Sequence, residues 1–553
     1  MTVADQAAVP PARRANDTRM VVAASAAGTA FEWYDFFIFG TLAAVIARNF
    51  TGGDDTAGFI FALGAFAAGF GVRPLGALFF GRFGDRVGRK AAFLVTITLM
   101  GVATFLIGCL PGWDTLGIAA PILLIALRVV QGFALGGEYG GAAIYVAEHA
   151  PARKRGLLTG WIQTSAALGL IGALAVILAT RSSMSAEAFS AWGWRIPFLA
   201  SAGLLVISLW IRMRLEESPA FQKIKDEQAI SAPYRESFLV WKNLRTVLIA
   251  LVAIMFAQGA VWYAGHFYAQ FFLERVLKVE PATVNALLIT AVALSAPLYV
   301  FFGWLSDRVG RKPVMLFGMV LATALYFPAF HWMTEAANPA LAEASRRAPV
   351  TVTADMSECS FQFDPLGRAT YTRSCDLISR ALTDAGVSYT RVARAVAGDT
   401  PASATVGGRT VAGAELVGLT AEQTVAARAR VAANLRAALD AAGYPATAAS
   451  ERVNWPGVLG VLLLFMVAAT ALYGPQAAAL VELFPTRIRY TALSVPYHIG
   501  TGWVGGFLPF TAFAMVAAAG DIYFGLWYPL VFTVISIVAT VLLLPETRGR
   551  PID

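Results

Sequence analysis

The feature that most constrains this fold is a series of long apolar stretches, each long enough for a helix to cross a bilayer core of about 30 Å. Such a segment satisfies its backbone hydrogen bonds internally, which lipid requires. The sequence therefore predicts an all-α membrane protein with twelve transmembrane helices. The stretches cover 20–47, 57–80, 91–110, 118–147, 156–180, 193–213, 246–274, 285–306, 313–333, 455–482, 491–519 and 521–544.

Composition supports this prediction and excludes an ordinary soluble enzyme. Of the 553 residues, 57% are hydrophobic and 14% are charged, whereas soluble domains carry about 25% charged residues. The net charge is +8, but the Lys and Arg residues lie between apolar stretches, which indicates membrane orientation and not nucleic-acid binding. Three Cys and four scattered His offer no metal-ligand spacing, so neither a metal nor another cofactor is expected.

The distribution of Lys and Arg predicts the orientation. The side that holds both termini carries 24 of these residues, and the opposite side carries five outside the long segment 335–452. Positive charge favours the cytoplasm, so both termini are predicted to be cytoplasmic. The predicted parts are an N-tail (1–19), a six-helix half (20–213), a central loop (214–245), three helices (246–333), an outward insert (334–453), three further helices (454–544) and a C-tail (545–553).

An internal repeat locates the insert. Segments 81–90 (GRFGDRVGRK) and 303–312 (GWLSDRVGRK) nearly match at an offset of 222 residues. A weaker pair, 148–155 and 482–489, has an offset of 334. The second half has therefore gained 112 residues between its third and fourth helices, the ninth and tenth of the chain.

The insert is predicted to be a small mixed α/β soluble domain. Its cysteines, Cys359 and Cys375, could form a disulfide in an oxidising compartment; two buried thiols remain the alternative, because spacing alone does not prove a bridge. Strand-like composition covers 350–354, 360–363 and 405–411, and helical periodicity covers 374–385 and 421–442.

Charged residues inside apolar stretches are costly and are candidates for function. Glu32 and Asp35 are three residues apart and share a helix face. Repulsion and lost hydration favour the protonated form of at least one carboxyl, so both are candidate proton carriers; packing against a neighbouring helix is the alternative. Arg128, at similar depth, could meet Glu32 and either bind a substrate carboxylate or neutralise the proton-carrying acid. A permanent structural ion pair is the alternative for Arg128.

Other candidates surround these charges. Gln131 shares a face with Arg128 and is a candidate substrate ligand. Glu138 is a second acid on that helix, either a proton relay or a partner for cytoplasmic basic residues. Tyr34, Trp262 and His266 are candidates for lining a substrate cavity, although most aromatic residues in membrane helices face lipid or the interface.

Four motifs together resemble a known family. They are the repeated loop, 31–37 (FEWYDFF), 128–138 (RVVQGFALGGE) and 192–198 (WGWRIPF). They are similar to the major facilitator superfamily, and within it to the metabolite:proton symporter family, which includes permeases for proline and betaine, α-ketoglutarate, citrate and shikimate. The resemblance covers the chain outside 335–452. It implies two six-helix halves, alternating access, a small-molecule substrate with protons and an inner-membrane monomer.

The resemblance also assigns a role to the repeated loops. In the superfamily such loops close the cytoplasmic side and open as the halves rock, because an acid there pairs with a helix N-terminus or an Arg. Their charges would otherwise only set the topology. The predicted gating residues are Asp85, Arg86, Arg89, Asp307, Arg308 and Arg311.

These patterns predict proton-coupled uptake of a small polar metabolite. An Arg in the cavity favours an organic acid, such as a mono- or dicarboxylate or a shikimate-like compound. Open alternatives are a zwitterion symporter of the proline/betaine type, a proton-driven exporter and a membrane sensor that uses the insert. No phosphate-binding loop and no nucleophile–base arrangement is recognised in the sequence, so neither a nucleotide-driven pump nor an enzyme is expected.

Overall fold

The computed structural model describes residues 11–50, 55–213, 217, 221–222, 232–360, 371–394 and 401–552. Part of the predicted N-tail and central loop lies outside these residues. Long helices dominate: α1 Pro11–Phe50, α2 Asp55–Arg86, α3 Arg89–Cys109, α4 Ala119–His149, α5 Arg155–Ser182, α6 Arg195–Met213, α7 Trp241–Val276, α8 Pro281–Val309, α9 Arg311–Ala337, α13 Trp455–Leu483, α14 Arg489–Ala519 and α15 Trp527–Leu543. Helices α10–α12 belong to the insert, described below.

Within the part of the chain that the structure describes, ten of these helices, α3–α9 and α13–α15, are long and apolar enough to cross a membrane. At the first repeated loop, two helices extend beyond the predicted stretches. Helix α2 continues to Arg86, and α3 begins at Arg89 after Gly88 with a φ of 134°. Gly310 has a φ of 114° at the matching turn between α8 and α9. These angles favour glycine, so the repeated motif specifies a sharp helix-to-helix turn.

The two ends of the helix bundle differ. We call the end that holds Asp85 and Asp307 the motif face, and the end that holds Ala337 and Trp455 the insert face. Between them, α7 and α14 approach each other closely: a Cβ atom at Gly259 would lie against the carbonyl oxygen of Gly500. Both helices contain wider π-type turns, at Ala264–Tyr268 and Ile499–Gly505 among other places. Such turns are frequent at functional sites.

The insert contains a four-stranded sheet flanked by helices. Strands β1 (Val350–Ala354), β2 (Tyr389–Ala393), β3 (Ser403–Val406) and β4 (Arg409–Ala412) have the order β2-β1-β3-β4, with β1 parallel to β2 and the other pairs antiparallel. The helices are α10 (Pro339–Arg347), α11 (Ser374–Asp384) and α12 (Ala421–Ala441).

Two predicted strands need comment. The single strand predicted at 405–411 is wrong: Gly407 and Gly408 have positive φ values and form the turn of the β3–β4 hairpin. Most of the strand predicted at 360–363 lies outside the described residues. Cys359 and Cys375 form a disulfide, with Cα atoms 5.3 Å apart. It ties the segment after β1 to the start of α11.

The insert contacts the loops that end α7 and α14. The ammonium of Lys278 donates to the carbonyl oxygen of Asp384 at 2.7 Å, and the amide of Tyr389 donates to the carbonyl oxygen of Gly520 at 2.8 Å. The entry and exit of the insert are adjacent, because the amide of Asn454 donates to the carbonyl oxygen of Ala336 at 2.8 Å. The insert therefore joins the bundle through neighbouring chain ends.

Candidate functional site

A central cavity lies between the two halves of the bundle, walled by α1, α2 and α4 on one side and α7, α13 and α14 on the other. Its volume is about 30 Å³, room for about two water molecules. A small metabolite does not fit in this closed form. The lining residues are Thr29, Glu32, Trp33, Phe36, Arg73, Leu135, Tyr139, Gln258, Trp262, Tyr263, Tyr473, Tyr497, His498 and Thr501.

Among the described residues, one cation and one acid face this cavity. The guanidinium of Arg73 lies 4.1 Å from the ring centroid of Phe70 and 5.5 Å from that of Phe36. Arg73 Nε and Glu32 Oε2 have no hydrogen-bond partner among the described residues. Arg73 is not among the residues predicted from the sequence, although it is a lone cation in an apolar stretch, the same signal that indicated Arg128.

Aromatic and polar groups complete the wall. The rings of Tyr139 and Tyr497 stack at 3.7 Å across the two halves, and the hydroxyls of Tyr473 and Tyr497 share a hydrogen bond of 2.8 Å. Trp262 Nε1 donates to the hydroxyl of Tyr299 at 3.1 Å. Both ring nitrogens of His498 lack a partner within the described residues. The cavity thus offers several polar groups that are available to a ligand.

The structure separates the other predicted substrate ligands from this cavity. The hydroxyl of Tyr34 donates to the carbonyl oxygen of Pro197 at 2.9 Å, inside the first half. The ring of His266 stacks on Trp262 at 4.2 Å, and its Nδ1 contacts the carbonyl oxygen of Trp262 at 2.8 Å. Of the predicted aromatic ligands, Trp262 alone is among the described residues that line the cavity.

The proposed meeting of Arg128 with Glu32 is not what the structure shows. Arg128 Nη1 donates to Gln131 Oε1 at 2.9 Å, Gln131 Nε2 donates to the hydroxyl of Thr104 at 2.6 Å, and that hydroxyl donates to Asp35 Oδ2 at 3.1 Å. The guanidinium of Arg128 also stacks on Phe39 at 3.9 Å. Helices α3 and α4 pack so that a polar chain connects Arg128 to Asp35, and Arg128 lies outside the central cavity.

Glu138 forms a buried ion pair. Its Oε1 accepts from Arg212 Nη2 at 2.6 Å, and its Oε2 accepts from the hydroxyl of Thr96 at 2.8 Å. The side chains of Glu138 and Arg212 are each at most 2% exposed. Pairing with a basic residue near the motif face was one of the two roles considered for Glu138.

At the motif face, Asp85 of α2 joins the two halves. Its carboxylate accepts from the amides of Tyr490 at 3.1 Å and Thr491 at 2.9 Å, in the first turn of α14. Arg89 donates to Asp85 at 3.0 Å and to the carbonyl oxygen of Thr486 at 2.7 Å. An acid at a helix N-terminus is stabilised by the helix dipole, so this contact holds α2 against α14.

The repeat produces the same contact on the other side. Asp307 of α8 accepts from the amides of Gly156 at 2.9 Å and Leu157 at 2.7 Å, in the first turn of α5. Arg311 pairs with Asp307 at 2.7 Å and with Glu482 at 3.2 Å. The Asp of each repeated loop therefore caps the N-terminus of a helix in the opposite half.

The weaker repeat supplies a second pair of links between the halves. Glu482 of α13 accepts from Arg155 of α5 at 2.8 Å, and Glu148 of α4 accepts from Arg489 of α14 at 2.7 Å. All four side chains are nearly fully buried. In contrast, the predicted gating residues Arg86 and Arg308 are exposed, which agrees with the topology-determining role that was the alternative.

Aromatic contacts close the cavity toward the insert face. Trp33 and Trp262 lie 5.7 Å apart between ring centroids, Phe36 and Phe267 lie 6.4 Å apart, and Phe70 and Tyr263 lie 6.0 Å apart. Each pair joins the first half to α7. With the ionic contacts at the motif face, these rings enclose the central cavity from both ends.

Comparisons with known proteins agree with this architecture. The chain is 36% identical to the proline/betaine transporter of Salmonella typhimurium over 323 residues, which cover 56% of this chain and 64% of that protein. It is 37% identical to the inner membrane metabolite transport protein YhjE of Escherichia coli, covering 59% and 75% of the two chains, and 34% identical to the shikimate transporter of Escherichia coli, covering 56% and 72%.

The fold also matches a solved structure. The proton:xylose symporter XylE superposes with a TM-score of 0.62 at 15% identity, covering 98% of both chains. The family model of the Major Facilitator Superfamily matches residues 25–339, and that described as "Sugar (and other) transporter" matches residues 437–553. Since the first of these covers more than half of the sequence, the chain belongs to the Major Facilitator Superfamily.

Proposed function

We propose that the protein is a secondary active transporter that couples proton entry to uptake of a small polar metabolite. The observation that carries this proposal is the enclosed central cavity, which holds one buried cation, Arg73, and one buried acid, Glu32, between two repeated halves. Helices α1 and α2 would add two crossings to the ten apolar helices, giving twelve.

Alternating access explains the repeated contacts. Asp85 and Asp307 hold the motif face closed through amide groups of the opposite half, and rocking the halves apart would break both contacts together. Aromatic pairs such as Trp33 with Trp262 would then remain as the closure at the insert face. The enclosed cavity is the state between the outward-open and inward-open forms of such a cycle.

The orientation and assembly follow from charge and connectivity. The excess of Lys and Arg at the motif face supports a cytoplasmic location for this face and both termini, and with it an outward location for the insert. A single chain contains both halves of the cavity, so a monomer suffices for transport. These features argue against a sensor whose membrane part is only an anchor, because an anchor needs no costly buried charges.

The substrate we favour carries a carboxylate that Arg73 binds. Arg presents a rigid fork of donors that matches a carboxylate, and an organic acid satisfies it. A zwitterion is the second candidate, because Glu32 and the rings of Trp33 and Trp262 line the same cavity and a cationic headgroup is attracted by both. The similarity to proteins named proline/betaine and shikimate transporters is compatible with either class.

The test is transport by purified protein in liposomes under an inward proton gradient. The panel consists of labelled proline, glycine betaine, shikimate, α-ketoglutarate and citrate. We expect gradient-driven accumulation of one class, and Arg73→Gln should raise its KM roughly 10- to 100-fold, the loss of one charged hydrogen-bonded contact of about 1.5–3 kcal/mol.

Arg86→Gln is the matched control, since Arg86 is exposed at the end of the same helix, and its KM should stay at the wild-type value. Uptake that ignores the proton gradient would contradict symport. Substrate movement in the direction opposite to that of the protons would instead identify a proton-driven exporter.

A further inference from the structure

A second, smaller cavity lies inside the first half, behind α1. Its volume is about 10 Å³, about the size of one water molecule. Glu32 and Asp35 of α1 and Glu138 of α4 line it, and apolar residues of α3 and α6 with Ser201 complete the wall. Three carboxyl groups thus meet at a site that does not belong to the interface between the halves.

Two of these carboxyls point to a bound water. Glu32 Oε2 and Asp35 Oδ1 are buried and lack hydrogen-bond partners among the described residues, and the two residues are 8% and 6% exposed. A buried polar atom without a partner is costly, and an internal water needs two or more polar neighbours. One water between these oxygens would satisfy both.

The third carboxyl is already occupied. Glu138 accepts from Arg212 at 2.6 Å and from Thr96 at 2.8 Å, so both of its oxygens have donors. Arg212 of α6 therefore pairs with Glu138, and the buried oxygens without a donor among the described residues of this site are Glu32 Oε2 and Asp35 Oδ1. The other oxygen of Asp35, Oδ2, accepts from the hydroxyl of Thr104, at the end of the hydrogen-bonded chain that starts at Arg128.

Glu32 has a special position because it lines both cavities. On one side it faces Asp35 and the pair formed by Glu138 and Arg212. On the other side it shares the central cavity with Arg73. A change in the charge of Glu32 is consequently felt where the substrate binds.

We propose that the small cavity holds one water molecule that passes the coupling proton between Asp35 and Glu32, so that the proton reaches the central cavity from inside the first half. In this step the Asp35 carboxylic acid gives its proton to the water, and the same water gives another proton to the Glu32 carboxylate. The water is regenerated and the pair keeps a single negative charge. Protonated Glu32 then leaves Arg73 free to bind the substrate carboxylate.

This inference rests on the proposed symport, and the test separates the two. Ser201→Val fills the small cavity without touching either carboxyl, because the hydroxyl of Ser201 bonds the carbonyl oxygen of Phe198 in its own helix. Ser208→Val is the matched control: Ser208 lies on the same helix, is equally buried at 1% exposure and does not line the cavity among the residues described.

Labelled proline and labelled shikimate are the probes, each in two assays. Exchange without a gradient should be unchanged in Ser201→Val, whereas accumulation driven by the proton gradient should fall at least about tenfold. Ser208→Val should behave as wild type in both. Normal accumulation in Ser201→Val would overturn the water path, and so would loss of exchange in a folded Ser201→Val. No gradient-driven accumulation in the wild type, or accumulation driven by Na⁺, would overturn the symport itself.

Infrared spectroscopy of the full-length protein decides the matter if Ser201→Val does not fold. A carboxyl pair bridged by water should give one protonated C=O band that shifts in both Asp35→Asn and Glu32→Gln. Separate bands, each altered by only one substitution, would overturn the proposal.

Discussion

At the scale of single residues, Glu546, which follows α15 in the chain, shows how one side chain stabilises the N-terminus of another helix, α9. Its carboxylate accepts from the amides of Arg311 at 2.9 Å and Lys312 at 3.1 Å, in the first turn of α9, and from that of Arg548 at 2.8 Å. Burial alone would raise the pKa of Glu546, but these backbone donors lower the pKa by more than burial raises it. The pKa therefore lies below its usual value. Glu217 contacts the amides of Arg89 and Lys90 at the start of α3 in the same way.

We predict that Glu546→Gln destabilises the protein by about 1 kcal/mol at neutral pH, the typical loss for a helix cap. Because the folded pKa is lowered, this contribution is complete above the ordinary Glu pKa and disappears as the pH falls through the folded value. Thermal unfolding of wild type and variant at about pH 7 and about pH 3 measures it. Glu343→Gln, at an exposed site on α10, should change little at either pH. A destabilisation by Glu546→Gln that persists in acid would contradict the assignment.

Which buried residues are charged could be predicted from the sequence, whereas their partners in other helices could not. Isolated charges in apolar stretches pointed to Glu32, Asp35 and Arg128, because the cost of inserting a charge depends on residue type and depth, and both follow from the sequence. The sequence places Gln131 on the same helix face as Arg128, but the link onward through Thr104 to Asp35 depends on how the helices pack and could not be predicted. Arg73 carried the same signal as Arg128 but lies outside the recognised motifs.

At the scale of elements, the repeated loops act as clasps between a helix end and a helix start. Asp307 caps α5 from the opposite half, and Asp85 caps α14. We predict that Asp307→Asn favours the form open at the motif face by about 1–3 kcal/mol, a 5- to 150-fold shift in population, because the neutral amide loses its attraction to Arg311 and the helix dipole.

Cysteine labelling measures this shift. Ser494 is fully buried beside Gly140 of the other half, so Ser494→Cys should react only when the halves separate. The assay uses a Cys109→Ser background, which removes the free thiol. Asp307→Asn should raise the labelling rate from the motif face, and Arg308→Gln, exposed in the same loop, should not. Equal rates in both variants would assign Asp307 to topology alone.

The sequence predicted secondary-structure elements best where one simple pattern dominated. Apolar length located the long helices, and the Asp-Arg-x-Gly-Arg-Lys repeat located the loops in which the structure places sharp turns at Gly88 and Gly310. It did not give the partners of that repeat, because the amides of α14 and α5 carry no sequence signal. The single strand predicted at 405–411 is wrong, because Gly407 and Gly408 form a turn inside an otherwise strand-like run.

At the scale of the whole molecule, the insert is an addition to one half of a repeated design. The described hydrogen bonds between the insert and the bundle involve α9, α14 and the loops after α7 and α14, all in the second half. Lys278 and Gly520 provide two of them. The insert would thus move with the second half as the halves rock, and it would not have to be released for the cavity to open.

This attachment predicts that the insert can be removed without loss of transport. The amide of Asn454 bonds the carbonyl oxygen of Ala336, so replacing residues 339–453 by a short Gly-Ser linker spans almost no distance. We expect uptake in liposomes with a KM within about twofold of wild type, a difference below about 0.5 kcal/mol. Arg73→Gln in the deletion background should still raise the KM, because the central cavity contains no residue of the insert among those described. Loss of uptake from a deletion variant that remains folded would instead show that the insert takes part in substrate capture or signalling.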